Sequence, residues 1–246
     1  MIKKEKCIPK FNILTLFPEI FSAFLSLGIF SRGIKKGVFS LEIDDLRAFS
    51  SNPRGRVDDR PYGGGDGMVL SVEPIARALA QIKKKGDLRP VIFLTPQGKR
   101  FNQKWAMDLA QGNGAIFLCG RYGGIDERIR ENWVDEELSI GDYVLMGGEL
   151  AAMVVLEASV RLIPGVLGNE ESSQNDSFKK DLLEGPQYTR PREYQGLKVP
   201  SVLLSGHHQN IANWQQKQSL TRTQTRRPDL IMKRNKNHKT HLDSEK

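Results

Sequence analysis

Three short, almost wholly apolar runs dominate the first half of the chain: FNILTLF from Phe11, PVIFLT from Pro90 and AIFLC from Ala115. Runs of this kind suit strands buried on both faces of a sheet. Each gives way to a turn signal and then to a stretch with helical character. Pro18 opens PEIFSAFLSLGIFSRGIKKG, predicted as one helix ending at Gly37. Asn102 can cap a helix through Gln111, and CGRYGG leads into the short helix IDERIREN. VFSLEIDDL reads as a further strand with alternating faces. Ser71 caps another helix, with Pro74 in its first turn and Gly86 after it. VDEELSIG and DYVLM read as extended, and GELAAMVVLEASVRLI as a long helix stopped by Pro164-Gly165. Strands alternating with helices predict an α/β domain with a largely parallel sheet over residues 1–167, and on pattern alone an open, doubly wound one.

Charge divides the rest. Residues 178–246 hold 14 Lys/Arg and 6 Asp/Glu, whereas residues 1–177 hold 23 of each sign, so the whole net charge of +8 lies in the last 69 residues. Between the two parts, GNEESSQND is polar, acidic and without apolar anchors. It predicts a flexible linker over 168–177. Residues 178–246 are predicted as a small, mostly helical C-terminal domain with a proline-rich connection around Pro186–Pro200 and a disordered tail, NKNHKTHLDSEK. A basic surface of domain size points to nucleic acid or an anionic membrane. The bland alternative is a solvated, soluble tail.

A membrane span is not expected. The most apolar helical segment, AAMVVLEASVRLIPGVL, carries Glu157 and Arg161. The basic start, MIKKEKC, is followed by an apolar run too short for a signal peptide. Cys7 and Cys119 lie far apart and form neither a disulfide framework nor a CxxC zinc pattern, which fits a cytoplasmic location.

Parallel sheets bind ligands at the carboxyl ends of their strands. Loops that follow strands here include LTPQGKR, CGRYGGIDERI and SIGDYVLMGGE, and PYGGGDGM closes a long arginine-bearing loop over residues 47–67. None has the GxxxxGK[ST] or GxGxxG spacing of a phosphate-binding turn. Each alone could be a simple turn. Together they fit a neutral, adenine-bearing ligand approached by backbone groups.

VDDRPYGGGDGM, LTPQG, CGRYGGIDER, SIGDYVLMGGELAAM, RLIPGVLGN, NDSF, YTRP, VPSVLLSGHH and KQSLTRT with RRPDL occur in that order. The chain thereby resembles the TrmD family of bacterial tRNA guanine-N(1)-methyltransferases, in the SPOUT superfamily, over about residues 11–231. The resemblance implies a deep trefoil knot, a feature pattern alone would not justify. It implies a pocket for S-adenosylmethionine built from Leu94, Thr95, Pro96 and Gly98, from Gly120, Tyr122 and Gly124, and from Ser139, Ile140, Gly141, Asp142, Tyr143, Val144, Leu145, Gly147 and Gly148.

The implied reaction is methylation of ring nitrogen 1 of guanosine at tRNA position 37, in a homodimer with active sites at the subunit interface. Asp176 maps onto the family's general base and Arg161 onto its electrostatic partner. Read alone, Asp176 would be a helix cap and Arg161 a snorkelling arginine. Arg54, Asp58, Arg60, His207, His208, Lys217, Arg222, Arg226 and Arg227 are the implied tRNA contacts. The family usually carries an acid where this chain has Gly123. That departure puts a magnesium requirement in doubt. It is also the sequence support for an alternative, a catalytically impaired SPOUT-like RNA-binding protein.

Overall fold

The structure is a computed structural model describing residues 8–26, 28–83, 86–167, 176–178 and 181–232. Cys7, most of the predicted linker and the C-terminal tail lie outside the described residues. The chain divides into two compact units, Met1–Gly168 and Asn169–Lys246.

The first unit is an α/β domain. Strand β1 (Lys10–Thr15) is followed by a 3-10 turn at Pro18–Phe21, then α1 (Ser22–Ser26), α2 (Gly28–Lys35) and β2 (Ser40–Asp45). A second 3-10 turn, Leu46–Phe49, leads to the short antiparallel pair β3 (Asp58–Asp59) and β4 (Val69–Leu70). Then come α3 (Val72–Lys83), β5 (Val91–Arg100), α4 (Gln103–Gln111), β6 (Gly114–Cys119), α5 (Glu127–Trp133), β7 (Glu136–Ser139) and α6 (Glu149–Val160). Five strands form one sheet in the order β2-β1-β6-β5-β7, with every neighbouring pair parallel.

Both faces of this sheet are covered, as the unalternating apolar runs require. On one side Phe11, Ile13, Ile92, Phe117 and Leu138 pack with Leu109 of α4 and Ala152, Val155 and Leu156 of α6. On the other, Leu14, Leu16, Val91, Phe93, Ile116 and Leu118 pack with Ile75, Ala78 and Leu79 of α3 and Ile129 of α5. Successive strand residues thus serve two cores, a consequence of side chains alternating across the sheet.

Several elements of this unit differ from the sequence expectation. The single helix predicted after Pro18 is broken, because Gly28 takes a left-handed φ of 64° that continues no right-handed helix. DYVLM is not a strand: Ser139 Oγ bonds both the carbonyl and the N–H of Gly141, and Tyr143 N–H donates to the Gly141 carbonyl, so the chain turns. β5 runs beyond PVIFLT. Leu94 and Lys99 both lie opposite Leu138 of β7, so Thr95–Gly98 is extruded from the sheet and the strand resumes behind it.

In the second unit, β8 (Glu193–Tyr194) and β9 (Leu197–Lys198) form a small hairpin inside the stretch expected to be a plain connection. α7 (Ser201–Leu204) and α8 (His208–Arg226) follow. Ser219 and Thr223 of α8 bond both backbone groups of Leu183, which ties the entering chain to the helix.

Asn102 caps α4 as its sequence position predicts, accepting from the N–H groups of Lys104 and Trp105. Asn102→Ala is expected to lower stability by about 1 kcal/mol, measured by urea unfolding. An unchanged midpoint would contradict the cap.

Candidate functional site

β5, β6 and β7 run parallel, so the bulge extruded from β5 and the segments leaving the carboxyl ends of β6 and β7 emerge at one end of the sheet. They enclose a cavity of about 310 Å³, within the size range of small-ligand pockets. One wall is Leu94–Gln97, a second is Gly120–Ile125, and a third is Leu138–Gly141 with Tyr143–Gly148. These are three of the loops singled out in the sequence.

Of the residues implied to bind the cofactor, all but Gly98 and Asp142 line this cavity. Gly98 faces the neighbouring strand instead: a Cβ there would stand 2.5 Å from the Glu137 carbonyl carbon. Its role in the fold is to let β5 pass close to β7. The Asp142 side chain is exposed and lies 3.9 Å from Arg100.

The glycines inside the cavity have steric reasons to be glycine. A Cβ on Gly120 would stand 2.9 Å from the Phe93 ring, and one on Gly148 would stand 2.8 Å from the Cys119 Cα. Gly124 takes a φ of 114°, which strains any side chain. The loop lies bare of side chains because its neighbours approach its backbone, and several of its N–H and C=O groups bond those neighbours. Tyr122 is the exception, a half-exposed aromatic held at a φ of 59°.

The rim is tied to the long arginine loop. Gly123 N–H donates to the Met68 carbonyl, Leu70 N–H to Gly124, and Asp126 N–H back to Leu70. Asp126 caps α5, and its bonds with Arg128 hold its carboxyl below the usual carboxylate range. Cys119, behind Gly148, is wholly buried, which pushes its thiol well up.

Sequence reading missed a buried polar cluster at the back of the cavity. Glu149, at the start of α6, is 1% exposed. Its carboxylate accepts from the Thr15 hydroxyl at 2.8 Å and from Arg121 Nε at 3.1 Å. Arg121 itself lines the cavity, with its guanidinium 4.4 Å from the Phe17 ring centre. The available signal was an acid opening the most apolar helical segment, with an arginine set among glycines.

Arg161 is the half-buried C-terminal cap of α6, in the first unit. Asp176 is half-buried in the second. Arg54, Asp58 and Arg60 lie in and around β3. His207 precedes α8 and His208 begins it, both exposed; Lys217, Arg222 and Arg226 lie along it. Arg227 ends it and is engaged locally by Asp229 at 2.7 Å.

A family model described as tRNA (Guanine-1)-methyltransferase TrmD matches residues 9–233. The chain belongs to that family. Its relatives carry the name tRNA (guanine-N(1)-)-methyltransferase. One from Anoxybacillus flavithermus is 54% identical over 90% of this chain and 91% of its own length. Others from Halalkalibacterium halodurans and Geotalea uraniireducens are 53% and 52% identical, each over 90% of this chain and 91% and 90% of their own. The family's matched span covers all three cavity walls and α8.

Gly148→Ala is expected to force α6 away from β6 and to cost about 1–3 kcal/mol, measured by urea unfolding. Unchanged stability would mean that these elements do not meet as described.

Proposed function

We propose that this protein transfers a methyl group from S-adenosylmethionine to ring nitrogen 1 of guanosine at position 37 of tRNA. The observation that carries the reading is the cavity: three post-strand loops of the family's motif set converge on one ligand-sized space with bare backbone. Their glycines let the loops pack closely around that space, and the space suits an adenine held by main-chain groups around Leu94–Pro96 and Ser139–Leu145. Gly147 and Gly148 would receive the amino-acid arm.

When bound, S-adenosylmethionine supplies a methyl group already activated by its sulfonium. The protein's own work is then at the acceptor, whose ring nitrogen 1 carries a proton at neutral pH. Asp176 is the general base that takes this proton. The Arg161 guanidinium faces the negative charge developing on oxygen 6. Asp176 lies within the polar stretch 168–177, most of which is outside the described residues.

Residues 1–167 serve as the methyltransferase domain and 178–246 as a tRNA-binding domain. Lys217, Arg222 and Arg226, with His207 and His208, contact the anticodon branch, and Arg54, Asp58 and Arg60 contact the tRNA or the partner subunit. Phosphate contacts position the RNA and base contacts identify it. The fold reading is a deep trefoil knot, and what supports it is the family match over residues 9–233. A homodimer is supported by α6, where Leu150 and Val154 stand exposed one turn apart on an apolar helix. Cytoplasmic action fits the tRNA substrate, and among the described residues no helix is long and apolar enough to cross a membrane.

A resident divalent cation does not fit the acids at the cavity. Gly123 brings no carboxylate, Glu127 lies 3.6 Å from Arg130, and Glu149 is bonded to Arg121.

The test is incubation with labelled S-adenosylmethionine and a tRNA transcript bearing guanosine at position 37, with and without magnesium, followed by mass-spectrometric mapping. Methylation at that nitrogen is expected. Asp176→Ala is expected to lose about 100- to 10,000-fold in turnover while keeping cofactor affinity. Cofactor binding without methylation under any metal condition would overturn the reading in favour of an RNA-binding protein that no longer catalyses.

A further inference from the structure

We propose that Glu149 is a positioning residue. Acting through Arg121, it sets the shape of the wall that receives the methyl donor's amino-acid arm. This inference rests on the methyl-donor reading of the cavity.

A carboxylate with 1% exposure is tolerated only when charge and hydrogen bonds compensate its lost hydration. Glu149 has three compensations. It begins α6, where the helix dipole favours negative charge. It accepts the Thr15 hydroxyl from the end of β1, and it accepts Arg121 Nε at 3.1 and 3.3 Å. One buried group therefore joins the end of β1, the loop after β6 and the start of α6.

Arg121 is fixed on several sides. Glu149 holds its Nε edge, the Phe17 ring lies 4.4 Å from its centre, and Nη1 reaches the Met146 carbonyl at 3.5 Å. Its backbone pairs with Gly147 in an isolated antiparallel bridge, and Gly148 N–H donates to the Gly120 carbonyl. The second and third walls of the cavity are thus buttoned together beside a buried salt bridge.

The residue beside this button is strained. Tyr122 holds a φ of 59°, a conformation that a bulky side chain keeps only when its surroundings over-determine it. Arg121 pins it on one side, and the Gly123–Met68 bond pins it on the other. Freeing Arg121 lets Tyr122 relax toward an ordinary backbone and moves both Gly120 and the Gly147–Gly148 arm. Glu149 is not among the cavity-lining residues, so its removal tests positioning rather than contact.

The experiment titrates S-adenosylhomocysteine calorimetrically into wild-type protein and variants, alongside unfolding midpoints and separate KM values for S-adenosylmethionine and tRNA. Wild-type binding is the control for the methyl-donor reading itself; if the wild type does not bind, that reading fails first. Glu149→Gln is expected to weaken binding about tenfold, the loss of one charge-assisted hydrogen bond. KM for S-adenosylmethionine should rise with it while KM for tRNA holds.

The double variant Arg121→Met with Glu149→Leu separates positioning from bulk stability. Apolar replacement of a buried pair commonly restores stability. Here the midpoint should return while affinity stays weak. Thr15→Val should weaken binding by about threefold through one lost hydrogen bond, and Thr15→Ser should restore it. Wild-type affinity in Glu149→Gln, or affinity recovering together with the midpoint in the double variant, overturns the proposal. Should the Glu149 variants fail to fold, unchanged affinity in Thr15→Val overturns it alone.

Discussion

The cavity depends on how β5 is paired. β6 lies along one edge of it and β7 along the other, both parallel to it. Parallel pairing aims all three carboxyl ends the same way, so three loops that are distant in sequence must meet. Antiparallel pairing of either neighbour would send one loop to the opposite edge. The extrusion of Thr95–Gly98 opposite a single residue, Leu138, is what turns the end of β5 from strand into wall. Gly98 makes this feasible by letting the two backbones close up behind the loop.

The layering was legible in the sequence because burial on both faces leaves a plain mark. FNILTLF, PVIFLT and AIFLC lack alternation, and each became a central strand covered by helices on both sides. The loops were legible because glycine clusters after strands have few other uses. Strand order was not legible, since nothing in a single apolar run names its neighbour. The break at Gly28 was hidden inside a continuous helical pattern, because one glycine can sit in a helix or end it. DYVLM is an apolar run like a strand's, but the bonds between Ser139 and Gly141 and from Tyr143 N–H to the Gly141 carbonyl turn the chain instead.

Glu149 shows a different limit. At the start of an apolar helix, an acid reads as a solvated first-turn residue that favours the dipole. Its burial is decided by Thr15 and Arg121, which come from elements distant in the chain. Periodicity records which face of an element is apolar; it carries no record of a polar pair closing between elements. The basic excess at the C-terminal end gave a class of partner and little geometry. α8 is polar nearly all round, with Thr223 its one buried residue, so its role must be sought on its surface rather than in its packing.

The central claim is that the three loops at the carboxyl ends of β5, β6 and β7 hold the methyl donor. A crystal structure with S-adenosylhomocysteine tests it most directly. The account expects the adenine between Leu94–Pro96 and Ser139–Leu145, with the amino-acid arm against Gly147 and Gly148. Density for the ligand elsewhere on the protein, with this cavity occupied only by water, would contradict it.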